Sequence, residues 1–142
     1  MLKLLVADDE RILREAVCYL IDWKSIGIEL AASCKNGREA YEEACRTKPD
    51  IILTDIKMPG LSGLDLVEKL SEPGRVLEFI LLTGYADFEY AHRALSHRVH
   101  HYLLKPCNEQ QIVEAVQQAA QSICTRRQLQ QMEPARAGVA RP

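Results

Sequence analysis

Ile51-Ile52-Leu53-Thr54-Asp55 is a short apolar run that ends in a carboxylate, and similar runs that end in a polar residue occur three more times. The others are Leu4-Leu5-Val6-Ala7 before Asp8-Asp9, Phe79-Ile80-Leu81-Leu82 before Thr83, and Tyr102-Leu103-Leu104 before Lys105-Pro106. Apolar runs of about five residues are too short for helices and indicate buried strands. Because ligands of a parallel α/β sheet lie at the carboxyl ends of its strands, we expect these ends to share one crevice. Gathering such polar groups costs stability, so the pattern predicts a functional site.

The segments between these runs have helical periodicity. Apolar residues at positions 12, 13, 16, 17, 20 and 21 fall on one helical face, and a run at residues 26–33 predicts another strand. Five strands alternating with five helices predict an α/β fold with a doubly wound parallel sheet, because parallel neighbours need crossover helices. We predict a single domain at residues 1–125. Beyond it the apolar stripe fades, and residues 126–142 are predicted to be a linker or disordered tail.

Composition and charge argue against several classes of protein. The chain has 142 residues and a net charge of -2, without a basic stripe, so we expect no nucleic-acid binding by this segment. No apolar run approaches membrane-spanning length, and the amino terminus leads directly into a strand-like run, so we expect neither a transmembrane helix nor a signal peptide. The cysteines lack the spacing of a zinc site, and we expect reduced thiols of a cytoplasmic protein. They are Cys18, Cys34, Cys45, Cys107 and Cys124.

The polar strand ends have the chemistry of phosphoryl transfer. Asp8, Asp9 and Asp55 would repel one another unless a divalent cation neutralised them, and Mg²⁺ prefers such hard oxygen ligands. Asp55 stands alone before a Pro-Gly loop and is therefore the best candidate for a nucleophile that forms an aspartyl-phosphate. Lys105 would neutralise the phosphoryl oxygens, and Thr83 could donate its hydroxyl to one of them. Each residue alone could be a turn, a helix cap or a surface charge, but their joint occurrence favours a site.

In their order and spacing, these residues closely resemble the receiver domain of two-component response regulators. The matching motifs are Asp8-Asp9-Glu10, Asp55 with Met58-Pro59-Gly60, Thr83-Gly84 and Lys105-Pro106, within residues 1–125. The resemblance implies a flavodoxin-like (βα)5 fold with strand order 2-1-3-4-5. It also implies that Asp55 accepts a phosphoryl group from a histidine kinase in a Mg²⁺-dependent step.

The same resemblance implies roles for individual residues. Asp9, Asp55 and the backbone carbonyl of Lys57 would be direct metal ligands, Asp8 would complete the acidic pair, and Lys105 would bind the phosphate.

Further roles concern the response to phosphorylation. Thr83 would be the switch hydroxyl and Tyr102 the switch aromatic, and Pro106 would follow a cis peptide bond. Homodimers would form through the face made by the fourth helix, the fifth strand and the fifth helix.

A narrower likeness concerns receivers fused to AraC-type helix-turn-helix domains. It is carried by Ile21-Asp22-Trp23 at the predicted end of the first helix, by the TDIKMPG motif at residues 54–60 and by the TGYADFEYA motif at residues 83–91. It implies a transcriptional regulator that binds DNA through a C-terminal domain absent from this chain. We therefore expect a fragment of a longer regulator, with a standalone receiver as the alternative.

The residues before Tyr102 depart from the pattern of receivers. Arg98 stands where glycine is usual, and His100-His101 follow Val99. The arginine is expected to alter the turn into the fifth strand. The histidines are expected to be solvated side chains, or alternatively a pH-sensitive or interface-altering feature. Both features put the usual mode of dimerisation in question.

The sequence disfavours three alternatives to a non-enzymatic, phosphorylation-controlled module. Phosphatases of the haloacid dehalogenase type carry a second Asp two residues after the nucleophile, but Lys57 follows Asp55 and Glu10 follows Asp8 at that distance. A phosphorylation-deficient receiver is disfavoured because all five site residues are present. A dinucleotide-binding fold is disfavoured because no GxGxxG motif follows the first strand.

Overall fold

The structure is a computed structural model that describes residues 1–95 and 99–140. Its strands are β1 (Leu2–Ala7), β2 (Ile28–Cys34), β3 (Ile51–Asp55), β4 (Glu78–Thr83) and β5 (His101–Leu104). Its α-helices are α1 (Arg11–Tyr19), α2 (Gly37–Thr47), α3 (Gly63–Leu70), α4 (Tyr85–Leu95) and α5 (Glu109–Ala140). All strand pairs are parallel, and the sheet order is β2-β1-β3-β4-β5. The predicted flavodoxin-like α/β fold and its strand order 2-1-3-4-5 are therefore confirmed.

The sheet is buried on both faces because alternate residues of its strands point to opposite sides. Leu4 and Val6 of β1 pack in the cluster that contains α1 and α5, whereas Leu5 and Ala7 pack in the cluster that contains α2 and α3. Burial on both sides explains why the strands read as continuous apolar runs in the sequence. The strands thus form a buried layer whose ends position the polar residues.

The second strand begins later than predicted. Residues Trp23–Ile26 form a short 3-10 helix, which ends at Gly27 with φ +80°, and β2 starts only at Ile28. Trp23 is 4% exposed, and its Nε1 donates a hydrogen bond of 2.9 Å to the carbonyl of Val17. The predicted end of the first helix at Trp23 is therefore wrong, because α1 stops at Tyr19 and Trp23 begins the 3-10 helix.

Helix α5 continues past residue 125, where we predicted the end of the domain. Arg126 and Arg127 form ion pairs with Glu78 and Asp50, and Gln130 Nε2 donates a hydrogen bond of 2.9 Å to the carbonyl of Gly74. Contacts with the domain therefore extend to Gln130 through polar groups, which the fading apolar stripe did not reveal. The boundary of the domain stays a prediction.

Two further observations concern the class of protein. Within residues 1–95 and 99–140, no helix has the length and apolar character that a membrane span requires. The five cysteines are free thiols, and Cys18 and Cys34 are buried.

Candidate functional site

Four strand ends place polar residues at one edge of the sheet. Asp55 is the last residue of β3 and Thr83 the last of β4, while Asp8 and Lys105 directly follow β1 and β5. The backbone N–H of Lys105 donates a hydrogen bond of 2.8 Å to the carbonyl of Thr83, which extends the pairing of β5 with β4. The predicted residues thus lie on four adjacent strands.

Three carboxylates form an acidic pocket at this edge. One oxygen each of Asp8, Asp9 and Asp55 lie within 4.8 Å of one another. Asp8 is 1% exposed, Asp55 is nearly as buried, and Asp9 is exposed to solvent. Oδ1 of Asp8 accepts a hydrogen bond of 2.9 Å from the N–H of Glu10, and Oδ1 of Asp55 accepts one of 2.8 Å from Ile56. The backbone therefore orients both buried carboxylates.

Lys105 is the cation of the pocket. Its Nζ lies 3.0 Å from Oδ2 of Asp55, 3.3 Å from Oδ2 of Asp8 and 3.2 Å from Oε1 of Glu10. The contact with Glu10 was not expected from the sequence, where Glu10 appeared only as part of the acidic motif. One ammonium group therefore faces three carboxylates besides Asp9, and negative charge remains in excess.

The pKa values of these groups reflect their burial first and their mutual contacts second. Burial raises the pKa of Asp8 and of Asp55 above the ordinary range. The N–H of Glu10 and the charge of Lys105 offset only part of the effect at Asp8, and Lys105 offsets only part of it at Asp55. For Lys105, burial alone would lower the pKa, but the hydrogen bond and charge of Asp55 and the charge of Asp8 raise it above its usual value. The ammonium group therefore stays protonated. Any further positive charge in the pocket would stabilise the ionised form of the two aspartates.

The pocket fits a hard divalent cation. Among the described residues, Oδ2 of Asp8 has no hydrogen-bond donor, although it is buried and Lys105 lies nearby. A buried carboxylate oxygen without a donor is costly, and a metal ion beside it would remove that cost. Oxygen ligands of this kind suit Mg²⁺.

The loop after Asp55 borders the acidic pocket. Lys57 and Asp9 line the same open cavity of about 420 Å³, together with Ile56, Met58, Pro59 and Ser62. The side chain of Lys57 points to α4, where its Nζ lies 3.5 Å from Oδ2 of Asp87. The cavity thus lies beside Asp9 of the acidic pocket and beside Ile56, which directly follows Asp55.

The close approach of α3 to Asp55 depends on Gly63, a feature that our interpretation of the sequence missed. A Cβ atom at Gly63 would lie 2.4 Å from the carbonyl oxygen of Asp55. The N–H of Gly63 donates a hydrogen bond of 2.8 Å to the carbonyl of Ile56, and Ser62 and Asp65 form a capping box at the start of α3. The sequence signal that could have revealed this start is Ser62-Gly63-Leu64-Asp65.

The side chains of Thr83 and Tyr102 make their contacts outside the acidic pocket. The Thr83 hydroxyl donates a hydrogen bond of 3.0 Å to the carbonyl of Gly84. The ring of Tyr102 packs 5.8 Å from that of Phe88 and 5.5 Å from that of His92, both on α4. Burial raises the pKa of Tyr102, and no described residue bonds to its buried hydroxyl. Tyr102 thus connects β5 with α4.

The residues before Tyr102 that depart from the pattern of receivers differ in how the structure compares with the expectation. His100 is exposed, as expected of a solvated side chain. For His101 this expectation is wrong, because its Nε2 lies 3.3 Å from Oε1 of the buried Glu78. Arg98 lies outside the described residues. The peptide bond between Lys105 and Pro106 is cis.

Comparisons with known proteins agree on one family. The family model for the response regulator receiver domain matches residues 4–117. The transcriptional regulatory protein YesN of Bacillus subtilis (strain 168) is 47% identical over 118 residues, which are 83% of this chain and 32% of YesN. The chain therefore spans about a third of the length of that relative.

Solved structures give the same result. The REC domain of AraT, a response regulator from Geobacillus stearothermophilus, matches with a TM-score of 0.80 at 36% identity, over 89% of this chain and 98% of that chain. The two component transcriptional regulator AraC from Clostridium phytofermentans ISDg matches with a TM-score of 0.81 at 29% identity, over 88% of this chain and 97% of that chain.

Proposed function

The chain belongs to the response regulator receiver domain family, and we propose that Asp55 accepts a phosphoryl group from a histidine kinase in a Mg²⁺-dependent reaction. The observation that carries the proposal is the position of Asp55. It ends a buried strand within 4.8 Å of two other carboxylates and 3.0 Å from Lys105, beside an open cavity. A carboxylate so placed is held in position, has its charge partly neutralised and can be reached by a donor.

In the proposed reaction, a carboxylate oxygen of Asp55 attacks phosphorus. An O–P bond forms as the P–N bond of a phosphohistidine breaks, and the leaving imidazole takes up a proton. The N–H of Ile56 and the ammonium of Lys105 orient the carboxylate. Lys105 then neutralises charge on the phosphoryl oxygens. Asp8, Asp9, Asp55 and the carbonyl of Lys57 would hold Mg²⁺, which supplies positive charge to the carboxylates and the phosphoryl group.

The response to phosphorylation would begin at Thr83. Its hydroxyl donates to the carbonyl of Gly84, and phosphoryl oxygens at Asp55 would offer a stronger, charged acceptor. A displacement of Thr83 toward Asp55 would change the space next to Tyr102 on the neighbouring strand. Because Tyr102 packs against Phe88 and His92, the face formed by α4, β5 and α5 would change with it.

The output is proposed to be transcriptional. YesN and the regulator from Clostridium phytofermentans are transcriptional regulators, and YesN is about three times as long as the matched segment. In the full regulator, a C-terminal domain would bind DNA, whereas residues 1–125 would form the cytoplasmic receiver and residues 126–142 the start of the linker. Homodimers would form through the face of α4, β5 and α5. We propose a signalling module and not a turnover enzyme.

The test is the intact mass of the protein after incubation with acetyl phosphate and Mg²⁺. We expect the mass of one phosphoryl group, its removal by hydroxylamine, and its absence when EDTA is present or in Asp55→Asn. Asp87→Asn is the matched control, since it removes an aspartate outside the pocket and should retain uptake. Uptake by Asp55→Asn would refute the assignment. Failure of the folded wild type to take up phosphate would favour a phosphorylation-deficient receiver.

A further inference from the structure

A buried acidic side chain lies at the edge of the sheet opposite the phosphorylation site. Glu78 begins β4 and is 3% exposed. Its Oε1 lies 3.3 Å from Nε2 of His101 on β5, and its Oε2 accepts a hydrogen bond of 2.5 Å from Arg126 on α5. Burial alone would raise the pKa of Glu78, but the hydrogen bonds of His101 and Ser122 and the charge of Arg126 lower it. The carboxylate is therefore held ionised in the interior by partners from two other elements.

Further polar contacts hold the same part of α5 against the sheet. Arg127 forms an ion pair with Oδ1 of Asp50, whose Oδ2 accepts a hydrogen bond of 2.8 Å from the N–H of Lys3. Gln130 donates to the carbonyl of Gly74. We call Arg126, Arg127 and Gln130 the α5 anchor. Within residues 109–132 it follows the last buried apolar residue of the helix, Ile123, and it holds the segment beyond that residue against the domain.

Of the three anchor residues, Arg126 binds Glu78, which also contacts His101 on β5. His101 directly precedes Tyr102, the residue that packs against α4. Glu78 thus divides its two oxygens between a strand that carries a switch residue and a helix that leads to the linker. Asp50, the partner of Arg127, directly precedes β3 and receives its other hydrogen bond from β1. The two arginines are adjacent in sequence, but their acidic partners lie at the beginnings of two different strands.

We propose that Glu78 couples β5 to the linker end of α5, so that phosphorylation changes the hold of the α5 anchor through His101, Glu78 and Arg126. This inference rests on the proposed function. A displacement of β5 moves His101, and the buried carboxylate must keep its hydrogen bonds because leaving it unpaired is costly. The carboxylate therefore follows His101 and changes its contact with Arg126. The anchor is suited to such regulation, because the Arg126 side chain is 43% exposed and water can replace Glu78 at its guanidinium, while the buried carboxylate keeps His101 as a partner.

The experiment is hydrogen exchange of the peptide covering residues 124–132, with and without phosphorylation by acetyl phosphate and Mg²⁺. In the wild type we expect phosphorylation to change the rate of amide exchange in this peptide by about fivefold. This factor corresponds to the loss or gain of one partly exposed ion pair. Arg126→Gln should lose this response while the response around Tyr102 remains. Arg127→Gln is the matched control. It weakens the anchor at rest, but it leaves Glu78 between β5 and α5 and should keep the response.

Intact mass, measured on the same samples, separates the two hypotheses. If the wild type takes up no phosphoryl group, the proposed function fails and this inference fails with it. If phosphate is taken up but the 124–132 response persists undiminished in Arg126→Gln, the coupling alone is refuted. Equal loss of the response in Arg126→Gln and Arg127→Gln would also refute it, because general loosening of the helix would then suffice. Glu78→Gln provides a second test, because it changes the acceptor of the ion pair instead of the donor. This variant should lose the response as Arg126→Gln does.

Discussion

Neutralising Asp8 should stabilise the protein when no divalent cation is present. Asp8 is 1% exposed, its Oδ2 accepts no hydrogen bond from a described residue, and burial raises its pKa, so its charge costs stability at neutral pH. Asp8→Asn keeps the shape and removes that charge, while Lys105 retains Asp55 and Glu10 as partners. We expect a gain on the order of 1 kcal/mol, which corresponds to a melting temperature higher by about 4 °C for a domain of this size.

The assay is thermal unfolding followed by circular dichroism, first in EDTA and then at increasing Mg²⁺. The wild type should gain about 1.4 kcal/mol at a Mg²⁺ concentration tenfold above its dissociation constant. Asp8→Asn should start higher and gain much less, because it lacks one carboxylate of the pocket. Glu68→Gln, an exposed residue on α3, is the control and should follow the wild type.

One result would refute this reasoning directly. If Asp8→Asn melts below the wild type in EDTA, the attraction of Lys105 at 3.3 Å outweighs the cost of burying the charge. A full response to Mg²⁺ in the variant would remove Asp8 from the proposed metal site.

Two further predictions concern packing and acid sensitivity. Gly63→Ala should destabilise the fold by about 2 kcal/mol in urea unfolding, because the new Cβ would lie 2.4 Å from the carbonyl oxygen of Asp55, whereas Gly84→Ala meets open space and should cost less than about 0.5 kcal/mol. Glu78→Gln should cost roughly 2 kcal/mol at neutral pH. The folded pKa of Glu78 lies below its unfolded value, so its contribution is present above about pH 4.3 and is lost as the pH falls through the folded pKa. The urea midpoints of Glu78→Gln and the wild type should therefore converge in acid, and a constant difference would contradict the prediction.

The strands were predictable because their signal is local. Each buried strand is an apolar run, and Asp55, Thr83 and Lys105 stand at or directly after a strand end, so their convergence follows from parallel topology alone. The 3-10 helix at Trp23–Ile26 was missed because four residues carry no helical period, and Gly27 ends it through a positive φ. The sequence pattern instead predicts the end of the first helix at Trp23 and the start of the second strand at Ile26.

Contacts between residues distant in sequence could not be predicted. Glu78 bonds to His101 and Arg126, which lie 23 and 48 residues away, and no local pattern distinguishes such a glutamate from a solvated one. The acidic motif includes Glu10, but the sequence gives no sign of its contact with Lys105, which lies 95 residues away. The extension of α5 was missed for the same reason, since polar contacts replace the apolar stripe after Ile123. Apolar periodicity predicts buried faces but carries no signal for buried charges.

The indole of Trp23 offers a built-in optical probe of one layer of the protein. It is the single tryptophan of the chain, is 4% exposed, and belongs to the cluster that contains α1 and α5. Its fluorescence will therefore report separation of that layer from the sheet, without a contribution from the α2 and α3 side. Paired with circular dichroism, which averages over all helices, this emission can show whether the two faces of the sheet unfold together or in sequence.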